Sequence, residues 1–163
     1  MTRELAVSEQ NPIRIFVTHA FDESDDYLRI FEFLECVDGF YYLNVSRPEE
    51  APKTGGMEEI KDILIQQIKA AEAVITVPSC YESHPDLMNF MMDGADAAKK
   101  PMIVIRPFGA VSETPKELVE RANEHIKWNA REIVDALKRQ ARLEDTQRWD
   151  VVDFPGYNAD GEV

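Results

Sequence analysis

The sequence predicts an α/β domain built on one five-stranded parallel sheet with helices on both faces. Two observations carry that prediction. In residues 73–106 two β-branched runs, AVITVP and MIVI, flank a segment whose apolar residues recur at helical spacing. Leu87, Phe90, Met91, Gly94, Ala95 and Ala98 fall on one helix face. Strand, helix and strand within about thirty residues form a βαβ unit, which crosses over right-handed into a parallel sheet. The same alternation then extends along the whole chain as βαβαβαβαβα, which favours strand order 2-1-3-4-5, the flavodoxin-like three-layer sandwich.

Taken in order, residues 1–11 are polar and expected to be a flexible N-terminus, leaving the domain at 12–143 and an acidic C-terminal tail at 144–163. IRIFVTHA (13–20) places Ile13, Ile15 and Val17 on one face and Phe16 on the other, as a strand buried on both faces requires. Asp22, Glu23, Asp25 and Asp26 follow, and acids at a helix start complement its dipole. Tyr27, Ile30, Phe31 and Leu34 pattern that helix. A divalent-metal cluster would need a further Asp at the end of the central strand, where Pro78-Ser79-Cys80 stands, so no metal is expected.

Gly39 ends the helix and FYYLNVS (40–46) reads as the second strand. RPEEAPKTGG (47–56) is longer than an ordinary βα connection, which marks it as a candidate functional loop. Ile60, Ile63, Leu64, Ile68 and Ala71 pattern the next helix. Beyond the central unit, Thr114-Pro115-Lys116-Glu117 reads as a capping box with proline at the first helical position. Residues 125–128 read as an edge strand. Asn129-Ala130-Arg131-Glu132 reads as a second cap, with Ile133, Val134, Leu137 and Ala141 facing inward. In the tail, Trp149, Val151, Val152 and Phe154 are candidates to dock on the body.

Thirty-one acidic against 18 basic residues give a net charge of −13. Such a field repels phosphate, which argues against nucleic acid and anionic membranes as partners. Cys36 and Cys80 stand alone without metal-ligand spacing and suit a reducing compartment. No signal-like apolar core opens the chain and no run approaches the roughly 18 apolar residues of a membrane span, so a cytoplasmic protein is expected.

Ligands of open α/β sheets bind at the carboxyl ends of the strands. Thr18, His19, Ala20 and Phe21 leave the first strand where Ser79, Cys80 and Tyr81 leave the third. The loop 79–84 then enters a helix behind Ser83, so hydroxyls and backbone N–H groups converge on a site for an anionic group. Arg47 and Arg106 are the expected countercharges. Cys80 and His84 are a conceivable nucleophile pair, although such a dyad needs a third group to orient the histidine. His19 is either a base or a packed residue. Asp86 reads as a dipole-complementing acid behind a Ser83 or His84 cap.

These residues also carry a family resemblance. IRIFVTHAFDESDDY resembles the opening strand and acidic loop of TIR (Toll/interleukin-1 receptor) domains, and residues 47–56 sit where those domains carry their BB loop. KPMIVIRPFG followed by HIKWNAREIVDALK resembles the prokaryotic TIR-like family, in which a Trp-Asn pair starts the last helix. The resemblance spans residues 13–142. It implies a flavodoxin-like fold and a role in signalling. Many members of the superfamily cleave NAD or make cyclic nucleotide signals in bacterial defence, and others only assemble.

The enzyme members carry a glutamate on the helix after the third strand, commonly as Trp-x-x-x-Glu ahead of a Lys-Pro pair. Counting ten residues back from Pro101 reaches Met91, and the Trp position reads Leu87. Breaking the nicotinamide–ribose bond develops oxocarbenium charge, which a carboxylate stabilises and a thioether does not. The resemblance therefore implies a TIR-like nucleotide-binding or signalling and assembly domain with weak or no NAD cleavage. One alternative is an active NAD glycohydrolase or cyclase using Glu82 as the substitute carboxylate. Another is a scaffold that binds only proteins. The expected ligand is NAD or an ADP-ribose-like nucleotide, and the expected partners are further copies of the chain or other proteins bound through the 47–56 loop.

Overall fold

A computed structural model of the chain describes residues 6–109 and 113–143. The tail at 144–163, with Trp149, Val151, Val152 and Phe154, lies outside the described residues. Five strands pair in parallel in the order β2-β1-β3-β4-β5: β1 (Ile13–Val17), β2 (Tyr42–Asn44), β3 (Ala73–Thr76), β4 (Met102–Ile105) and β5 (Glu124–Ile126). Every residue of β3 and β4 is buried, which is why both read as unbroken apolar runs rather than as alternation. Register pairs Ile15 with Ala73, Val74 with Met102 and Ile103 with Glu124. The edge strands are shorter than expected. β2 keeps three residues of the 40–46 run, and β5 begins at Glu124 and stops before Trp128.

Around the sheet the described residues form six helices: α1 (Asp25–Leu34), α2 (Gly56–Ala70), α3 (Pro78–Ser83), α4 (Pro85–Ala97), α5 (Lys116–Arg121) and α6 (Ala130–Arg142). α1 starts at Ser24, whose Oγ accepts the Tyr27 N–H at 3.1 Å, with Asp25 and Asp26 in the first turn. At the start of α6, Asn129 Oδ1 accepts the Glu132 N–H at 3.0 Å, the cap read from the sequence.

Four local expectations are corrected. Residues 79–84 do not form a loop; Pro78 stands in the first turn of a short helix, where its fixed φ is pre-organised and its missing N–H is not needed. Neither Ser83 nor His84 caps α4 with its side chain, and His84 is only the bend between α3 and α4. Thr114 does not cap α5 either: Pro115 holds the cap position, and the Thr114 hydroxyl pairs with His125 Nε2 at 2.8 Å. Finally, the buried face of α4 is Met88, Met91, Met92, Gly94 and Ala95, with Leu87 and Phe90 half-buried. That rotation follows from packing on α2 as well as on the sheet. At Gly94 the two helices come so close that an added Cβ would meet Ile65 Cδ1 at 2.6 Å.

Two largely buried ion pairs tie α6 to the rest. Arg139 grips Glu124 of β5 with two bonds, at 3.0 and 2.7 Å. Arg142 grips Glu72 at 2.5 and 2.9 Å and also donates to the carbonyls of Ala6, Asn11 and Pro12. Arg142 thus bonds to Ala6 and Asn11 of the N-terminal segment. Among the described residues no helix is long and apolar enough to cross a membrane.

Candidate functional site

The site is built outward from the end of β1. Thr18 extends the pairing with β3, its N–H donating to the Ile75 carbonyl at 3.0 Å and its Oγ1 accepting the Val77 N–H at 3.3 Å. His19 comes next and is almost wholly buried. Its Nδ1 accepts the Phe21 N–H at 3.0 Å, which assigns the ring proton to Nε2, the donor to Gln67 Oε1 at 2.9 Å. Phe21 makes that bond from a left-handed conformation, φ 64°, and packs its ring edge-on to the imidazole at 5.0 Å.

Gln67 Oε1 also accepts the Arg47 N–H at 2.9 Å, and Gln67 Nε2 donates back to the Arg47 carbonyl at 3.3 Å. One buried amide therefore locks the end of β1, helix α2 and the start of the 47–56 loop together. Burial lowers the His19 pKa, opposed by the Gln67 bond and by the charges of Asp22 and Glu49. A neutral imidazole with both nitrogens engaged is a positioning residue, not a free base.

The carboxyl ends of β1 and β3 are the switch point of the sheet, because the strand order reverses between them. Thr18, His19, Asp22, Ser24, Ser79, Cys80, Ser83 and His84 line a cavity there of about 50 Å³. Six of these were candidates from sequence. Ala20, Phe21, Tyr81, Arg47 and Arg106 were candidates too and do not line it. Phe21 supports His19 from behind, and Tyr81 is half-buried against the core. The Arg47 guanidinium points to Glu49 and Glu50, at 4.0 Å from each. Arg106 is exposed beyond β4. No arginine among the described residues lines the cavity, so the two expected countercharges are not assembled there.

The Cys80–His84 pair does not form a nucleophilic dyad. Burial pushes the Cys80 thiol up to about 12, with Asp22 adding to the shift and a Thr18 hydrogen bond opposing it. Such a thiol stays protonated and is a poor nucleophile. The bond joining the two residues is backbone, from the His84 N–H to the Cys80 carbonyl at 2.8 Å. Ser79 Oγ is buried beside them with no hydrogen-bond partner among the described residues.

Two larger clefts flank the cavity and share its lining. On one side Met57, Lys61, Pro85, Asp86 and Leu87 join Ser83 and His84 around about 430 Å³. On the other, Asp25, Asp26, Arg29, Glu82 and Phe108 join Ser79 around about 340 Å³. Glu82 belongs to this second cleft and not to the cavity of His19. Arg29 there pairs with Asp26 and lies 3.8 Å over the Phe108 ring. Met91 is fully buried in the core and lines neither cleft. The Trp-Asn pair serves the architecture, because Trp128 Nε1 donates to the Arg106 carbonyl at 2.7 Å while Asn129 caps α6. No group of three or more His, Cys, Asp or Glu among the described residues is placed to hold a metal ion.

Three participants are not evident from the sequence: Gln67, Asp22 and Ser24. Gln67 carries a signal, being a polar residue at the spacing of Leu64 and Ile68, on the buried stripe of α2. Asp22 and Ser24 read only as parts of a helix start, and Ser24 does serve as the cap of α1. Compared with known proteins, the chain matches no family model and no curated protein sequence.

Proposed function

We propose that this chain is a TIR-like signalling domain that binds an ADP-ribose-like nucleotide at the β1/β3 switch point and cleaves NAD weakly or not at all. The observation that carries the reading is the convergence of Thr18, His19, Ser79, Cys80, Ser83 and His84 on one cavity at the place where open α/β sheets hold ligands. The shared lining with a cleft of about 430 Å³ gives a ligand body somewhere to lie, in the size range of small-molecule sites. The resemblance of the opening strand and closing helix to TIR-like domains supports the signalling context, including a place in bacterial defence and assembly into homo-oligomers.

Weak chemistry follows from three placements. Met91 supplies no carboxylate and is sealed in the core. Glu82 is exposed and lines a different cleft from His19. The buried Cys80 thiol is held protonated. Of the residues that line the cavity, only Asp22, at its rim, is then suited to stabilise a developing oxocarbenium ion. A nicotinamide-release assay with NAD tests the catalytic half of the reading and should give little or no product. Robust release that is abolished by Glu82→Gln would overturn it in favour of an enzyme using Glu82.

A further inference from the structure

The switch-point cavity has a chemical character that the expected anionic head group does not match. Its lining contains four hydroxyls, from Thr18, Ser24, Ser79 and Ser83, together with the Asp22 carboxylate, two imidazoles and a thiol. No lysine or arginine among the described residues lines it. A phosphate placed there would face the Asp22 carboxylate with no opposing lysine or arginine charge, and like charges repel. A carboxylate is an acceptor only, so what Asp22 seeks is an O–H or N–H donor. It makes no hydrogen bond or ion pair to any described residue.

The hydroxyls sharpen this. Ser24 Oγ already accepts the Tyr27 N–H, and Thr18 Oγ1 already accepts the Val77 N–H. Ser79 Oγ is buried and has no partner among the described residues. A buried hydroxyl left unpaired costs free energy, so its partner is expected to be water or a ligand in the adjoining space. The cavity of about 50 Å³ has room for on the order of three or four waters. Two neighbouring hydroxyls on one small molecule can replace two of those waters, each donating to the carboxylate while accepting from a serine. Ser83 and His84 then lead directly into the larger cleft of Met57, Pro85 and Leu87, where a flat body can lie against apolar side chains.

We propose that this cavity recognises a vicinal diol through Asp22 and Ser79, so that the hydroxyl edge of a nucleoside's ribose enters it while the rest of the sugar and any phosphate stay outside. The proposal rests on the ligand-binding reading above and names which part of the ligand is held. It also separates recognition from charge: affinity comes from the sugar, and an uncharged nucleoside suffices.

The test is amide chemical-shift titration of the ¹⁵N-labelled full chain with adenosine, 2′,3′-dideoxyadenosine, inorganic phosphate and ADP-ribose. Adenosine should shift Ser79, Ser83 and His84, and the dideoxy analogue should bind about tenfold more weakly or worse, as expected for two lost bonds to a charged group. Inorganic phosphate should leave these amides unmoved. Asp22→Asn keeps the shape of an exposed side chain, so its spectrum should remain that of the folded protein while adenosine affinity falls by a similar factor. Equal binding of adenosine and its dideoxy analogue, or undiminished adenosine binding by D22N, would overturn the diol assignment while leaving nucleotide binding in place. If neither adenosine nor ADP-ribose shifts any of these amides, both the assignment and the functional reading it rests on fail.

Discussion

Met91 shows how much hangs on a single side chain. Counted back from Pro101, it stands where the proposed TIR-like resemblance would put the glutamate of the enzyme members, and it is fully buried among the apolar residues of the core. Met91→Glu is close to isosteric, so it leaves no cavity but inserts a carboxylate with no partner. A destabilisation of several kcal/mol is expected, on the order of the cost of burying an unpaired polar or charged group, with no gain in nicotinamide release. Thermal melting beside the release assay checks both halves. A stable variant that hydrolyses NAD would place this side chain in the crevice after all.

His19 is the second residue with a measurable consequence. Burial lowers its pKa below the ordinary value of 6.5. A folded state that holds the imidazole neutral binds fewer protons than the unfolded chain, so its stability falls as pH drops below about 6.5. In a proton NMR titration the His19 ring should show its midpoint below that of a free histidine. A midpoint at or above 6.5 would mean that burial does not hold the neutral form against the Gln67 bond and the nearby acids.

At the scale of elements, the two expected capping sequences behave differently. Asn129 precedes a long amphipathic helix and accepts the Glu132 N–H, whereas Thr114 precedes a six-residue helix and turns away to His125. Asn129→Ala should therefore cost about 1 kcal/mol, the usual value of an N-cap. Thr114→Ala should lose only the bond to His125 and lower the melting temperature less. Equal losses in a denaturant titration of the two variants would contradict the assignment.

The same scale shows what can be read from sequence and what cannot. Strand and helix types follow from periodicity because each apolar run has one structural outcome. α3 does not, because Pro78-Ser79-Cys80 is compatible with a loop or with a first turn, and only the fit of the next helix decides. The rotation of α4 is likewise invisible, since the close approach of α2 at Gly94 is a tertiary fact. The strand ends point to Thr18, His19, Ser79 and Cys80. The exclusion of Arg47 and Arg106 depends on where Glu49, Glu50 and the end of β4 place them.

At the scale of the molecule, Arg142 closes the domain by joining the end of α6 to Glu72 and to the carbonyls of residues 6, 11 and 12. Burial pushes the Glu72 carboxyl up, but hydrogen bonds from Arg142 and from the Arg14 backbone, with both arginine charges, hold it below its ordinary 4.5. The stabilisation is therefore full above about pH 4.5 and is lost as pH falls through the lower folded value. Arg142→Ala strands a partly buried carboxylate and should cost about 3 kcal/mol. For a chain of this size that lowers the melting temperature by about 6–12 °C at neutral pH. The difference from the unmutated chain should shrink in acid, where Glu72 becomes protonated in both. A gap that stays constant into strong acid would show that the carbonyl bonds, not the ion pair, provide the closure.

The net charge of −13 also belongs to this scale, because it surrounds the crevice with a field that disfavours anions. The most direct test of ligand binding at the switch point is ADP-ribose titration followed on the backbone amides. Saturable shifts centred on Thr18, Ser79, Ser83 and His84 are expected, with the far edge of the sheet at β5 unchanged. Silence at millimolar ADP-ribose would contradict a nucleotide-binding role and favour the scaffold alternative.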